Sequence, residues 1–291
     1  MSYPLRDKVI LVTGGAGGIG SALCHRFAAE GAACLVADID TARAERVAAA
    51  LPGSGHTGIG CDLLDRAAVE RLFDRVSAAH GRLDVLVNNV GMTSAERFDV
   101  RSVESIRREI ELNLLSPLIT TRIAIPLLRA AADPRVVTTV SLGGIFPLGE
   151  TPIYTASKFG LRGAMLSIAL DLRDKGILAG SVLPSATDTP MLRQEAVDGG
   201  NALQFQDPPQ QPADVVAAVL RLLDRPRLEV YPKPSESYLV RLAMLAPNLL
   251  PRLIPLFRKK GERGMARYLE ELRGRGLARR DGGHWELVGE A

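Results

Sequence analysis

Three cysteines in 291 residues leave little basis for a disulfide framework: Cys24, Cys34 and Cys61 are odd in number and show no paired spacing. That pattern suits a reducing, cytoplasmic setting. No uncharged apolar run reaches the length of about 18 residues that marks a membrane-spanning helix. The first apolar run, 9–12, breaks into glycines at once, so no secretory leader is expected at the N-terminus. Internal repeats and low-complexity segments are also absent. The net charge is only +3, which excludes a nucleic-acid footprint spread over the whole surface. Charge is concentrated instead: residues 258–280 hold nine Lys/Arg against three Glu, a segment charge of +6 that leaves −3 elsewhere.

What is present is apolar and periodic. Hydrophobic residues make up 46% of the chain, enough for a large core. Short β-branched runs at 8–13, 33–37, 56–61, 83–87, 135–141, 178–183 and 228–231 read as strands buried on both faces. Between them lie helical patterns at 21–30, 41–51, 65–79, 103–131, 153–175 and 212–224, the fourth bent by Pro117 and Pro126. Residues 190–211, rich in Pro, Asp and Gln, read as loop. Alternation of this kind implies right-handed crossovers and a doubly wound parallel α/β sheet, with ligands beyond the carboxyl ends of the strands. The expected organisation is one such domain over residues 1–232, with an apolar and basic helical extension over 233–291.

The first strand runs into Thr13-Gly-Gly-Ala-Gly-Gly-Ile-Gly20 and then a helix. Backbone N–H groups at such a helix start can face a pyrophosphate. Asp38 follows Gly20 by 18 residues, at the end of the second strand, where a carboxylate can accept from both ribose hydroxyls and repel a 2′-phosphate. No Lys or Arg lies in the turn or at position 39, Arg43 being the first candidate, so NAD is favoured over NADP. Plain helix-capping is the competing role for Asp38 and for Asp62.

Tyr154 and Lys158 are four residues apart on one helix face, and Ser141 precedes the tyrosine by 13. Bringing a phenol from about 10 to neutral pH takes roughly 4 kcal/mol, part of which an adjacent cation can supply. The expectation is a lysine that lowers the tyrosine pKa.

Together these residues resemble the short-chain dehydrogenase/reductase family over about 5–231. Residues 13–20 look like its cofactor turn, Asn88-Asn-Val-Gly91 like its Asn-Asn-Ala-Gly segment, and Pro184-Ser-Ala-Thr-Asp-Thr189 like its Pro-Gly segment. Val90 and Ser185 are departures from the usual alanine and glycine. The resemblance implies a Rossmann-type fold and a catalytic set of Asn113, Ser141, Tyr154 and Lys158. It places Gly14, Gly18, Ile19, Gly20, Asp38, Asp62, Leu63, Asn89, Gly91, Pro184, Thr187 and Thr189, with Tyr154 and Lys158, around NAD. By this resemblance Ser141 orients the substrate oxygen, Tyr154 exchanges its proton while hydride passes between carbon and nicotinamide, and Asn113 holds a relay water. Homodimers or homotetramers through the helices at 103–131 and 153–175 are implied as well.

By the same resemblance the segments after Ser141 and after the sixth strand line the substrate pocket, where Ile145, Phe146, Leu148, Met191 and Leu192 would be apolar and Arg193 the only cation. A hydrophobic secondary alcohol or ketone (steroid-like, long-chain or aryl) is therefore expected. Beyond Tyr231, the apolar stretch 239–257 is interrupted by Pro247, Pro251 and Pro255, with a helix expected at 264–273. It either folds over the cleft or a subunit interface, lies on an anionic membrane surface, or is a loose tail. Two other functional classes stay open: a catalytically silent NAD-binding regulator, and a membrane-surface interaction protein.

Overall fold

The computed structural model describes residues 2–94 and 96–289. In chain order the first half comprises β1 (Val9–Thr13), α1 (Gly18–Ala29), β2 (Ala33–Asp38), α2 (Thr41–Ala50), β3 (Thr57–Gly60), α3 (Arg66–His80), β4 (Val85–Asn88), α4 (Val103–Ile110) and α5 (Ser116–Arg129). The second half comprises β5 (Arg135–Thr139), α6 (Pro152–Arg173), β6 (Leu178–Val182), α7 (Pro190–Val197), α8 (Pro212–Asp224), β7 (Glu229–Val230), α9 (Pro234–Ala243), α10 (Leu250–Gly274), β8 (Ala278–Asp281) and β9 (His284–Leu287).

Seven strands form one parallel sheet in the order β3-β2-β1-β4-β5-β6-β7. Strand alternation divides the core between the two faces. Val9 and Leu11 of β1 pack with α3, α5 and α6, whereas Ile10 and Val12 pack with α1, α2 and α8. Both faces of each central strand are thus buried, which is why these segments read as continuous apolar runs. The strand order reverses between β1 and β4. A crevice opens there at the carboxyl edge, between the loops that follow these strands.

The helical stretch at 103–131 is not one bent α-helix. A π-helical turn, Glu111–Leu115, separates α4 from α5, and the Ser116 N–H reaches back to the Glu111 carbonyl. Pro117 follows immediately and has no N–H to give the Asn113 carbonyl, so the chain widens ahead of it. By length and composition the stretch Val103–Arg129 could cross a membrane. Its α5 portion is instead committed to the sheet: Thr120, Thr121, Ala124, Leu127 and Leu128 are buried, and the two threonines hydrogen-bond the Asn88 side chain.

Residues 190–211 are not simply loop, since they contain α7 and a short 3-10 helix, Ala202–Phe205. Their order comes from α10, which begins well before the expected position 264. Gly261 and Gly264 bring α10 against the Ala202 and Phe205 carbonyls, where any Cβ would overlap those oxygens. A third core joins Leu192, Ala196 and Phe205 to Tyr268, Leu269, Leu272 and Ala278. Asp188 fastens the same junction, accepting from Arg193 Nε (2.8 Å), Tyr268 Oη (2.7 Å) and Arg275 Nη1 (2.7 Å). Burial opposes ionisation of Asp188, but these three donors hold its carboxyl below the usual range.

Candidate active site

The turn after β1 is shaped by two glycines. Gly14 has φ +61°, a left-handed conformation that disfavours side chains. A Cβ at Gly20 would overlap the Gly14 carbonyl oxygen, so the helix start can fold back on the turn only with glycine there. Gly17 caps α1 without a side-chain acceptor, and the N–H groups of Gly18 and Ile19 have no acceptor among the described residues. Open donors at the positive end of a 12-residue helix form an anion cradle. Asn89 stitches three strand ends together: its N–H donates to Thr13 Oγ1 (3.0 Å), its Nδ2 to the Gly14 carbonyl (3.3 Å), and its Oδ1 accepts from Thr139 Oγ1 (3.2 Å).

The cradle opens into a cavity of about 690 Å³. Gly14, Gly18, Ile19, Asp38, Asp62, Leu63, Asn89, Gly91, Ser141, Tyr154, Lys158, Pro184, Thr187 and Thr189 all line it. Gly20 and Asn113 stand behind the wall. Asp38 Oδ2 accepts the Ala16 N–H (3.1 Å), fixing the carboxylate beside the turn. The caps of α2 and α3 are Asp40 and Asp65, so neither Asp38 nor Asp62 serves as a helix cap. Arg43 lines the same end of the cavity.

Ser141 and Tyr154 reach the site from the ends of neighbouring elements. Ser141 follows β5 and its Oγ accepts the Gly143 N–H (2.9 Å). Gly143 lies against both groups: a Cβ there would be 3.0 Å from Tyr154 Cε1 and 3.3 Å from Ser141 Oγ. Lys158, one turn after Tyr154 on α6, is only 3% exposed, and its Nζ lies 5.6 Å from the Tyr154 ring centroid. That ammonium donates to the Thr139 carbonyl (3.5 Å). Asn113 is fully buried in the π-helical turn. Its Oδ1 accepts the Met92 N–H (2.8 Å), and its Nδ2 donates to the Met92 carbonyl (2.8 Å) and to Ser157 Oγ (3.1 Å).

The electrostatics depart from expectation. Burial pushes the Tyr154 phenol up to about 12, with the Ser141 hydroxyl pulling it down and the Glu195 and Glu109 carboxylates adding to the rise. Burial pushes Lys158 down to about 8, against the opposing pull of Glu109. Desolvation disfavours the charged form of each group and is the largest cause of both shifts.

Two carboxyls that did not stand out in the sequence shape this balance. Glu109, on α4, has no solvent exposure and pairs with the equally buried Arg101 (2.6 Å). Burial raises its pKa while Arg101 and Lys158 oppose the rise. The available signal was its position four residues before Asn113. Glu195, on α7, lines the cavity with 8% exposure, accepts from Gln204 Nε2, and is pushed by burial up to about 7.

The far end of the cavity is more apolar and more complex than the sequence indicated. Leu142, Phe146, Leu148, Met191 and Leu192 line it, joined by Leu239, Val240 and Ala243 of α9 and by Ile254 and Phe257 of α10. Ile145 does not: it is buried in the main core. Nor does Arg193, which is spent on Asp188, while Lys260 and Arg108 supply cations instead.

The family model described as short chain dehydrogenase matches residues 8–198. The chain is 31% identical over 199 residues to a 3beta-hydroxysteroid dehydrogenase of Mediterraneibacter gnavus, covering 66% of this chain and 70% of that protein. It is 30% identical over 227 residues to a D-threitol dehydrogenase of Mycolicibacterium smegmatis, covering 76% and 87%. Among solved structures, a short chain dehydrogenase/reductase from Burkholderia phymatum in complex with NAD aligns with TM-score 0.77 at 22% identity, over 85% of this chain and 96% of that one. A 3-ketoacyl-(acyl-carrier-protein) reductase from Brucella melitensis complexed with NADH aligns with TM-score 0.70 at 24% identity, over 79% and 99%. With the glycine turn, the strand-end asparagine and the Ser–Tyr–Lys wall in one crevice, the chain belongs to the short-chain dehydrogenase/reductase family.

Proposed function

We propose that this protein is an NAD-dependent oxidoreductase interconverting a hydrophobic secondary alcohol and its ketone. The observation that carries the reading is the placement of Ser141, Tyr154 and Lys158 on one wall of a cavity whose other end is the glycine cradle and Asp38. The cradle fits a dinucleotide: N–H groups without acceptors face it, the Gly14–Gly20 contact leaves no room for side chains, and a carboxylate closes the far side. Gly18, Ile19, Asp38, Asn89, Lys158 and Thr189 would hold NAD, which when bound supplies hydride transfer at its nicotinamide C4. Asp38 favours ribose hydroxyls over a 2′-phosphate.

The chain's own contribution is proton transfer and orientation. Ser141 Oγ holds the substrate oxygen within reach of the phenol. Tyr154 Oη gives a proton to that oxygen as a carbonyl is reduced, and takes one from the hydroxyl when an alcohol is oxidised. A phenol raised by burial suits the first direction at neutral pH. Lys158, held charged by Glu109, stabilises negative charge appearing on the tyrosine oxygen. Asn113 braces the floor beneath Lys158 through Met92 and Ser157. The apolar far wall excludes water and selects a substrate with a large hydrocarbon part. Within it, Glu195 is an acceptor for a second donor on the substrate, which favours hydroxysteroid-like or diol-like molecules among apolar alcohols.

The test is a spectrophotometric screen of steroid, long-chain, aryl and short aliphatic alcohols and ketones, run with NAD(H) and NADP(H). Turnover concentrated on apolar substrates with NAD(H) supports the reading. Turnover restricted to short polar polyols, or preference for NADP(H), refutes its substrate or cofactor half.

A further inference from the structure

One surface is not used by the chemistry above. Leu242 on α9 and Leu245 just past its end are 66% and 80% exposed, and Tyr238 and Leu239 on α9 are also open to solvent. Leu256 and Phe257 on α10 continue the apolar surface. Leu239 and Phe257 belong at the same time to this exposed face and to the cavity lining, so the apolar surface reaches the substrate cavity. The helices carrying it, Pro234–Ala243 and Pro247–Gly274, meet at a bend of 88°.

We propose that this face seats on an anionic phospholipid surface, and that the cavity draws its apolar alcohol or ketone from the lipid. The second half rests on the function proposed above; the first does not. Three observations favour lipid. The surface shares Leu239 and Phe257 with an apolar cavity, so a substrate dissolved in lipid would enter there without crossing water. Its charge is mostly basic: from the start of α9 to Arg263, residues 234–263 hold six Lys/Arg against two Glu. Arg241, Arg258 and Lys260 lie near Glu229, Glu150 and Asp207, but Arg252 and Lys259 make no ion pair among the described residues. A second copy of this chain stacked on the same face would bring like charges together, whereas anionic headgroups neutralise them. Finally, α9 has 10 residues, about 15 Å of helix against a hydrocarbon core of about 30 Å, and α10, at 25 residues long enough to cross, carries seven Lys/Arg and three Glu. With the 88° bend, the pair suits lying in the interface rather than crossing it.

The test is co-sedimentation of the whole chain with vesicles of phosphatidylcholine alone or mixed with phosphatidylglycerol, together with turnover of a short soluble alcohol and of a long-chain alcohol held in the same vesicles. Binding is expected only to the anionic vesicles and is expected to weaken with salt. Arg252→Ala with Lys259→Ala should weaken it about 25-fold, taking roughly fivefold per cation near an anionic leaflet. Leu242→Glu with Leu245→Glu should abolish it and lower turnover of the vesicle-held alcohol, leaving the soluble alcohol unaffected because neither leucine lines the cavity. The proposal is overturned if the unaltered chain ignores anionic vesicles, if binding survives the leucine pair, or if those leucines instead hold a dimer together in sedimentation velocity. Vesicle binding without turnover of any alcohol would uphold the docking face and refute the enzymatic reading.

Discussion

Replacing Glu195 by glutamine isolates the cost of keeping a carboxyl in the substrate cavity. The side chain is 8% exposed, and burial raises its pKa from 4.5 to about 7. The unfolded chain releases this proton near 4.5, while the folded chain keeps it until about 7. Between those values the folded state binds more protons, so its stability falls as pH rises through the window. At about 1.4 kcal/mol per pKa unit, the loss above pH 7 is about 3 kcal/mol. Glutamine cannot ionise, and its amide oxygen can still accept from Gln204 Nε2. Glu195→Gln should therefore be nearly neutral at pH 4.5 and stabilising at pH 8, raising the melting temperature there by roughly 5–10 °C. Calorimetry or fluorescence melts at the two pH values measure this directly. An equal shift at both, or destabilisation at pH 8, would show that Glu195 is ionised comfortably in the fold and refute the reasoning.

Two further outcomes follow from the site. Lys158 loses its proton near pH 8, so carbonyl reduction should be level below pH 7 and decline above about 8, as the cation that stabilises charge developing on the tyrosine oxygen is lost. A rate of reduction that climbs through pH 8 to 9 would contradict these assignments. Gly20→Ala forces a Cβ onto the Gly14 carbonyl; it should cost about 1–3 kcal/mol and weaken NADH binding at least tenfold, read by NADH fluorescence titration. Unchanged affinity would show that the cradle is not built on that contact.

Much of the molecule is visible in local pattern, and what is hidden has particular causes. The sheet was legible because strands buried on both faces give unbroken apolar runs, and because the turn after β1 can be built only with glycine at the Gly14–Gly20 approach. The residues of the Ser–Tyr–Lys wall were legible because helical spacing and strand ends place them. The π-helical turn around Asn113 was not, since Pro117 signals a bend without saying that the helix widens before it. Helix α7 and the 3-10 helix after it are ordered by α10, some 60 residues later, and no local signal reports that packing. The start of α10 was obscured by Pro251 and Pro255. Pro251 lies in the first turn, where its missing N–H has no partner to lose, and Pro255 removes only one early bond. The β8–β9 hairpin did have a signal, Gly282-Gly283 with φ +52° and +94°, the positive values a two-residue hairpin turn needs. The burial of Tyr154 and Lys158 was not legible, because spacing shows the neighbouring cation but not how much water both groups have lost.

The most direct measurement is Tyr154→Phe, assayed for turnover in both directions alongside NADH affinity. Phenylalanine keeps the ring against Gly143 and Lys158 and removes only the proton-carrying oxygen. Turnover should fall by at least about 10³-fold, within the 10²–10⁴ range for general acid–base groups, with NADH affinity within a factor of about three. Preserved turnover would contradict the assignment of proton transfer to this residue, and with it the account of the site.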